Sequence, residues 1–213
     1  MPPVSQQLSL ENGRNGDRLA ARSRFIAWRQ QIPPELQARW DLLLCESLWK
    51  LLLELFVNRP ELVIGAYWPI RSEPDLLALY RRIWAKPGWQ LALPKVIGKD
   101  QALLFGRMSE GGHLRRGSFG VSIPEPFEPV QPDLLIIPCV AFRADGYRLG
   151  YGGGYYDRTL AAKALVSIGV AYDETEWPGY EPQSHDCKLG RVVTPSRTLT
   201  SLFPAASCAR ETS

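Results

Sequence analysis

The chain has 213 residues, of which 45% are hydrophobic and 22% are charged, and its formal net charge is +3. These values are typical of a globular domain with a sizeable core, and they exclude a disordered or fibrous chain. The small net charge gives no sign of a nucleic-acid or membrane partner. We therefore expect one globular domain that binds neither and acts as a monomer.

The two chain ends differ in composition from the rest. Residues 1–16 have no apolar run, so we predict a disordered lead-in rather than a secretory signal. Residues 206–213 are predicted to be a flexible tail, which leaves a domain over 17–205. The leucine-rich stretch 42–57 is interrupted by three charged residues, which excludes a membrane span. These features predict a cytoplasmic protein.

Helical spacing dominates the first part of the chain. Residues 18–31 form a basic helical pattern in which Arg18, Arg22 and Arg29 lie near one face. After a Pro-Pro pair, leucines and a tryptophan recur at helical spacing over 36–55. Such a wide apolar stripe predicts a long helix that packs on the core.

Further along, short apolar runs alternate with helical patterns. We predict strands at 62–67, 90–93, 102–105, 134–137 and 166–171, and helices at 75–84 and 155–164. Runs that are apolar throughout indicate strands covered on both faces. The predicted fold class is therefore α/β, a single three-layer domain with a mostly parallel sheet flanked by helices.

The four cysteines show no paired spacing, so we predict free, reduced thiols at Cys45, Cys139, Cys187 and Cys208. Cys187 and His185 could be two ligands of a metal site. Two ligands without a second pair are a weak metal motif, however, and His185 is equally well read as a polar loop residue.

Residues 146–158, GYRLGYGGGYYDR, hold four glycines within five positions. They follow a predicted strand and lead into a predicted helix, the place where α/β folds bind ligands. Glycine amides that end at a helix N-terminus suit phosphate oxygens. The segment is not a P-loop, because no lysine follows the glycines. It is not the dinucleotide-binding motif either, because Tyr155 or Asp157 stands where the third glycine of that motif would be. The alternative is a flexible glycine turn in which Asp157 only complements the helix dipole.

The segment RLGYGGGYYDR, preceded by PDLLIIPCVAF, resembles the signature of the 5-formyltetrahydrofolate cyclo-ligase family, also called 5,10-methenyltetrahydrofolate synthetases. Weaker blocks follow in the family's order: YWPIRSE, LPKV, FGVSIPEP, IGVAYDE, HD and RVVT. The match covers nearly the whole chain after residue 17. It implies a NagB/RpiA/CoA-transferase-like fold. It also implies an ATP- and Mg²⁺-dependent cyclisation of 5-formyltetrahydrofolate to 5,10-methenyltetrahydrofolate, with release of ADP and phosphate.

The resemblance also implies a set of site residues. Those for ATP would be Arg18, Arg22, Arg148, Leu149, Gly150, Tyr151, Gly152, Gly153, Gly154, Tyr155 and Tyr156. Trp68, Glu73 and Tyr155 would contact the folate. Asp157 and Asp186 would hold Mg²⁺, and Arg148, Tyr155 and Asp157 would be catalytic. Arg18 stands where the family has a lysine. The planar guanidinium of arginine is not equivalent to the compact ammonium group of lysine.

Two other functions stay open at this point. One is a different enzyme on a related α/β scaffold that acts on a phosphorylated small molecule; Trp68 and Glu73 in the expected context argue against it. The other is a family member that binds folate or nucleotide without catalysis, against which the intact Asp157 and Asp186 argue. A polar loop with His113, Arg115 and Arg116 is a candidate contact for the folate's glutamate tail.

Overall fold

The computed structural model describes residues 15–201, and the side chains from residue 18. The predicted lead-in, apart from its last two residues, and the predicted C-terminal tail lie outside this range. Residues 15 and 16 belong to the first helix.

Helices and strands follow one another in the predicted order. The helices are α1 (Asn15–Arg29), α2 (Pro34–Leu55), α3 (Leu77–Ala85) and α4 (Tyr155–Ala162). The strands are β1 (Leu62–Gly65), β2 (Trp89–Lys95), β3 (Leu104–Met108), β4 (His113–Arg116), β5 (Ser122–Glu125), β6 (Pro129–Val130), β7 (Leu134–Pro138), β8 (Ala141–Phe142), β9 (Arg148–Leu149), β10 (Val166–Val170), β11 (Arg191–Val193) and β12 (Thr198–Thr200).

One eight-stranded sheet organises the domain, in the order β12-β11-β10-β7-β1-β2-β3-β6. The five central strands are parallel, which confirms the predicted α/β class with a large sheet between helices. The edge strands β12, β3 and β6 are antiparallel. The β2–β3 and β11–β12 connections are too short for a parallel crossover.

Strand β7 shows why its apolar run is continuous. Leu134 and Ile136 lie in the core cluster beneath α2 and α3. Leu135 and Ile137 lie in a second cluster on the opposite face, together with Leu160 of α4. Both faces of the sheet are therefore covered, as the sequence predicts.

Helix α1 packs away from these two clusters. Its residues Ala21 and Phe25 contact Ala141 of β8, Leu149 of β9 and Trp177 in a third cluster. The short β8–β9 hairpin, which the sequence did not predict, lies between strand β7 and the glycine-rich loop. Helix α1 is thereby placed beside that loop. None of the described helices is both long and apolar enough to cross a membrane.

Two sequence-based expectations are wrong in detail. Cys45 and Cys139 are free and buried as predicted, but Cys187 is disulfide-bonded, because sequence spacing does not report which cysteines the fold brings together. Cys208 lies outside the described residues. The predicted polar loop around His113, Arg115 and Arg116 is strand β4, paired with β5.

Candidate active site

The glycine loop, residues 150–154, runs from β9 to the start of α4. Gly152 has φ +91° and Gly154 has φ +64°, both in the left-handed region, where a side chain is strained. A Cβ on Gly153 would come within 2.7 Å of the Tyr155 ring. Gly154 is the N-cap of α4 and no side chain caps the helix. The loop therefore leaves backbone amides of a helix N-terminus available to an anion.

Arginines of α1 hold this loop from one side. The Nε of Arg22 donates a hydrogen bond to the Gly150 carbonyl oxygen at 2.7 Å, and the guanidinium of Arg22 lies next to Gly152. Burial and the positive charge of Arg18 lower the pKa of Arg22. The positive charge of Arg22 beside the glycine loop favours an anion at this place.

Asp157 is tied to a buried arginine. Its Oδ1 accepts hydrogen bonds from Nη2 of Arg148 at 2.8 Å and from the Cys187 amide at 3.0 Å. Arg148 also donates to the Cys187 carbonyl oxygen at 2.9 Å and is 6% exposed. Arg148 therefore positions Asp157 and the 186–187 segment, and has little surface left to contact a ligand.

Asp186 is paired with the other end of α1. Its Oδ2 accepts hydrogen bonds from Arg18, from the Tyr180 hydroxyl at 3.0 Å and from the Gln183 amide at 2.8 Å. Burial opposes ionisation, but the Gln183 amide and Arg18 outweigh it and lower the pKa of Asp186. The carboxylate is therefore charged at neutral pH.

Glu73 is a buried carboxylate beside a strained turn, residues 70–73. It is 3% exposed and accepts a hydrogen bond from the Ile70 amide at 2.9 Å. Burial raises its pKa, although the Ile70 amide, Arg29 and Tyr151 act in the opposite direction. Arg71 (φ +48°) and Ser72 (φ +56°) lie in the left-handed region, and such strain concentrates at functional sites.

Tyr151 connects the glycine loop to this turn. Its hydroxyl accepts a hydrogen bond from Nη2 of Arg29 at 2.6 Å, and it lies near enough to Glu73 to lower the pKa of that carboxyl. Arg29 also donates twice to the Arg71 carbonyl oxygen, at 3.1 and 2.9 Å. The two segments that the sequence assigned to different ligands are thus adjacent in the fold.

Aromatic side chains lie next to both the loop and the turn in the sequence. The Tyr155 ring lies 5.9 Å from that of Phe119, which is 71% exposed. Trp68 is half-buried, with its ring 6.3 Å from that of Tyr80. These rings offer apolar faces to a flat ligand.

Two residues predicted to bind ATP turn their side chains inward. Leu149 belongs to the cluster beneath α1, and Tyr156 packs against the cluster beneath α4. Leu149 therefore offers only its backbone to a ligand, whereas Tyr156 stays partly exposed.

The donor set for a metal is small. Within residues 15–201 there is no group of three or more His, Cys, Asp or Glu side chains that could hold an ion. Oδ1 of Asp157 and Oδ2 of Asp186 are both engaged by arginines. This set fits an ion such as Mg²⁺, which takes one or two carboxylates and otherwise phosphate and water oxygens.

Comparison with known proteins assigns this arrangement to a family. The model of the 5-formyltetrahydrofolate cyclo-ligase family matches residues 17–195. The chain belongs to that family. The resemblance read from the glycine segment is thereby confirmed.

Relatives of the cyclo-ligase family resemble the chain in sequence and in fold. The 5-formyltetrahydrofolate cyclo-ligase of Mycolicibacterium smegmatis is 31% identical over 65% of this chain and 76% of its own length. That of Haemophilus influenzae is 33% identical over 56% of this chain and 68% of its own. The NMR structure of Aquifex aeolicus 5,10-methenyltetrahydrofolate synthetase superimposes with a TM-score of 0.73 at 26% identity, covering 89% of this chain and 95% of that one.

Sequence reasoning about this cyclo-ligase site missed several residues. Arg29, Tyr180 and Gln183 take part in the hydrogen bonds that hold the site. Only Arg29 had a signal, because it shares a helix face with Arg18 and Arg22. Its burial could not be read from that spacing, since the same pattern also describes a solvated basic face.

Proposed function

We propose that the protein catalyses the ATP- and Mg²⁺-dependent cyclisation of 5-formyltetrahydrofolate to 5,10-methenyltetrahydrofolate, with release of ADP and phosphate. The observation that carries the proposal is the juxtaposition of an uncapped glycine loop with a buried carboxylate and half-buried aromatic rings. We call the glycine loop with Arg18, Arg22, Asp157 and Asp186 the nucleotide end. The turn 70–73 with Trp68 is the folate end.

The nucleotide end suits a triphosphate. The glycine loop ends at the N-terminus of α4, where no side chain caps the helix, and Arg22 brings a positive charge beside the loop. Preorganised donors of this kind stabilise the charge that develops during phosphoryl transfer. Arg18 is within reach of the same place if it exchanges Asp186 for a phosphate.

The folate end suits a flat heterocycle with N–H groups. The Glu73 carboxylate can accept hydrogen bonds from such groups. Because Glu73 is buried, each hydrogen bond is stronger than it would be in water. Trp68 and Tyr155 can cover the faces of the ring system. The closeness of Tyr151 to Glu73 supports a reacting formyl group near the γ-phosphate.

The chemistry follows from this proximity. The oxygen of the N5-formyl group attacks the γ-phosphorus of ATP, ADP leaves, and an iminium phosphate forms. N10 then attacks the activated formyl carbon, the phosphate leaves with the C–O bond electrons, and N10 loses its proton. An amide-like oxygen leaves poorly until it is phosphorylated, so the role of the protein is alignment and charge stabilisation.

Asp157 and Asp186 are the residues that would hold Mg²⁺. The bound ion would neutralise phosphate charge. Arg148 fixes the orientation of Asp157 through the contact at 2.8 Å, and Arg18 and Tyr180 fix Asp186. Arg18 helps to lower the pKa of Asp186, and these partners hold both carboxylates in place before a nucleotide arrives.

The direct test is to mix the protein with 5-formyltetrahydrofolate, ATP and Mg²⁺ and to follow the absorbance of the methenyl product. We expect product only when all three are present, with one ADP formed for each product. Reactions without ATP, or with a chelator of Mg²⁺, are the controls. Binding of both ligands without product would instead identify a non-catalytic member of the family.

Several finer expectations stay predictions. They are a NagB/RpiA/CoA-transferase-like fold, a monomeric state, a cytoplasmic location, and the absence of nucleic-acid and membrane partners.

A further inference from the structure

Arg29 is the most deeply buried of the three arginines on one face of α1. It is 2% exposed, and within the described residues no carboxylate lies within 4.0 Å of its guanidinium. Its hydrogen bonds go to the Arg71 carbonyl oxygen and the Tyr151 hydroxyl. A buried charge with neutral partners is costly and calls for a reason beyond packing.

The partners of Arg29 belong to different ends of the site. Tyr151 is part of the glycine loop, and the Arg71 carbonyl is part of the turn that leads into Glu73. The guanidinium of Arg71 also lies 5.5 Å from the centre of the Tyr151 ring. One guanidinium therefore fixes the loop and the turn relative to each other.

The turn 70–73 contains two residues with a strained backbone. Arg71 and Ser72 both have positive φ, which is unfavourable for residues other than glycine. The two hydrogen bonds from Arg29 to the Arg71 carbonyl oppose relaxation of this strain. Glu73 is the next residue, so the position of its carboxylate depends on whether the turn keeps this conformation.

We propose that Arg29 is a positioning residue that couples the two ends energetically. A triphosphate that orders the glycine loop fixes Tyr151, which through Arg29 favours the turn geometry that places Glu73 for the folate. By linkage, folate bound at Glu73 raises the affinity for the nucleotide by the same factor. This inference rests on the proposed function, because it assumes that ATP and folate occupy the two ends.

Calorimetry measures the coupling directly. The β,γ-imido analogue of ATP, with Mg²⁺, is titrated into the protein with and without saturating 5-formyltetrahydrofolate, and the ratio of the two dissociation constants is the coupling factor. We expect about tenfold tighter nucleotide binding in the presence of folate, within the usual range of such couplings. The analogue does not transfer its γ-phosphoryl group, so no turnover interferes.

Tyr151→Phe is the sharper variant, because it removes the hydroxyl that accepts the hydrogen bond of Arg29 without changing charge. We expect the coupling factor to fall below threefold, while each ligand alone loses only a few-fold in affinity. Arg29→Lys keeps the positive charge but loses the planar guanidinium. The folded variant should show the same fall in the coupling factor. Tyr147→Phe is the matched control. Tyr147 is also half-buried and lies next to the cations of Arg143 and Lys188, but it belongs to neither end. The coupling factor of this variant should equal that of the unchanged protein.

The outcomes separate the two proposals. A coupling factor of one in the unchanged protein, or undiminished coupling in Tyr151→Phe, overturns the role of Arg29 and leaves the proposed function standing. An unchanged protein that binds neither ligand overturns the proposed function and this inference with it. Loss of coupling in Tyr151→Phe with the Tyr147→Phe control intact supports the inference.

Discussion

The nucleotide end and the folate end treat their carboxylates in opposite ways. Asp157 and Asp186 are each paired with an arginine, and the pKa of Asp186 is lowered. Glu73 has no guanidinium in direct contact among the described residues, and burial raises its pKa. Charge is balanced by direct arginine contacts at the nucleotide end, whereas at the folate end Arg29 and Arg71 act on Glu73 without touching it. The first arrangement suits a polyanion, and the second suits a mostly neutral heterocycle.

The largest effect should come from a change that tests the nucleotide end. Asp157→Asn keeps the volume and an oxygen for the Arg148 and Cys187 N–H groups, but removes the charge proposed to fix a metal ion. We expect turnover to fall on the order of a hundredfold, with a rise in the Mg²⁺ concentration needed for half-maximal rate. A Mg²⁺ titration of initial rates gives both quantities.

Asp133→Asn is the matched control, because Asp133 also contacts an arginine, Arg59, and a backbone amide, that of Val63, away from the site. The control should lower the melting temperature without a comparable loss of turnover. An Asp157→Asn enzyme that is destabilised but turns over normally would show that Asp157 serves only the fold.

A change at Glu73 tests the folate end. Glu73→Gln removes the buried charge while leaving an oxygen for the Ile70 amide, so we expect the dissociation constant for 5-formyltetrahydrofolate to rise about 10- to 30-fold. ATP affinity measured without folate should change less than threefold. Glu61→Gln, at an exposed glutamate, should change neither. Equal losses for both ligands would mean that Glu73 supports the scaffold.

The glycine loop offers a smaller effect confined to the nucleotide end. Gly152 has positive φ, and an added Cβ would lie 3.2 Å from the Arg22 guanidinium. Gly152→Val should weaken ATP binding about tenfold, as judged by calorimetry, and leave folate binding within threefold. Gly111→Val has the same backbone strain at φ +69° in open space far from the loop. If Gly111→Val weakens ATP binding equally, backbone strain is responsible and not the loss of the glycine-loop amides.

The smallest effect concerns a buried acid that packs behind the folate end. Asp41 of α2 accepts a hydrogen bond from the Tyr172 hydroxyl at 2.7 Å, and burial raises its pKa to about 6. The folded protein therefore holds this proton more tightly than the unfolded chain does. The associated stability is present below the ordinary carboxyl pKa and is lost as pH rises through about 6.

Asp41→Asn imitates the protonated form at every pH. Between pH 4 and pH 7, the free energy of unfolding of the unchanged protein should fall relative to Asp41→Asn by about 1–3 kcal/mol. Urea titrations at three pH values measure this difference, and Asp100→Asn at an exposed position is the control. A constant difference would show that burial does not raise the pKa of Asp41.

The predictable part of the molecule is what depends on local pattern. The continuous apolar run at 134–137 identified a strand buried on both faces, and the glycines before Tyr155 identified the loop at the start of α4. The β8–β9 hairpin escaped notice because each of its strands has only two residues, too few for any periodicity.

Pairings across long sequence distances could not be predicted from the residues themselves. Arg18 lies 168 positions before Asp186, and nothing in either neighbourhood points to the other. Tyr151 was assigned to ATP by the family motif, yet its hydroxyl lies between Arg29 and Glu73. A motif gives the position of a residue along the chain, whereas its direction depends on what the fold brings beside it.

The arginine–carboxylate pairs of the nucleotide end have a consequence for how a polyanion enters. Arg18 and Asp186 already neutralise each other, so the site holds its own counterions. An arriving phosphate can take over the guanidinium from Asp186 and leave that carboxylate to the cation that accompanies the triphosphate. Binding then exchanges one ion pair of the protein for another and does not release salt ions from its surface. Dissolved salt also screens partly buried ion pairs only weakly. We therefore expect nucleotide affinity to depend only weakly on ionic strength.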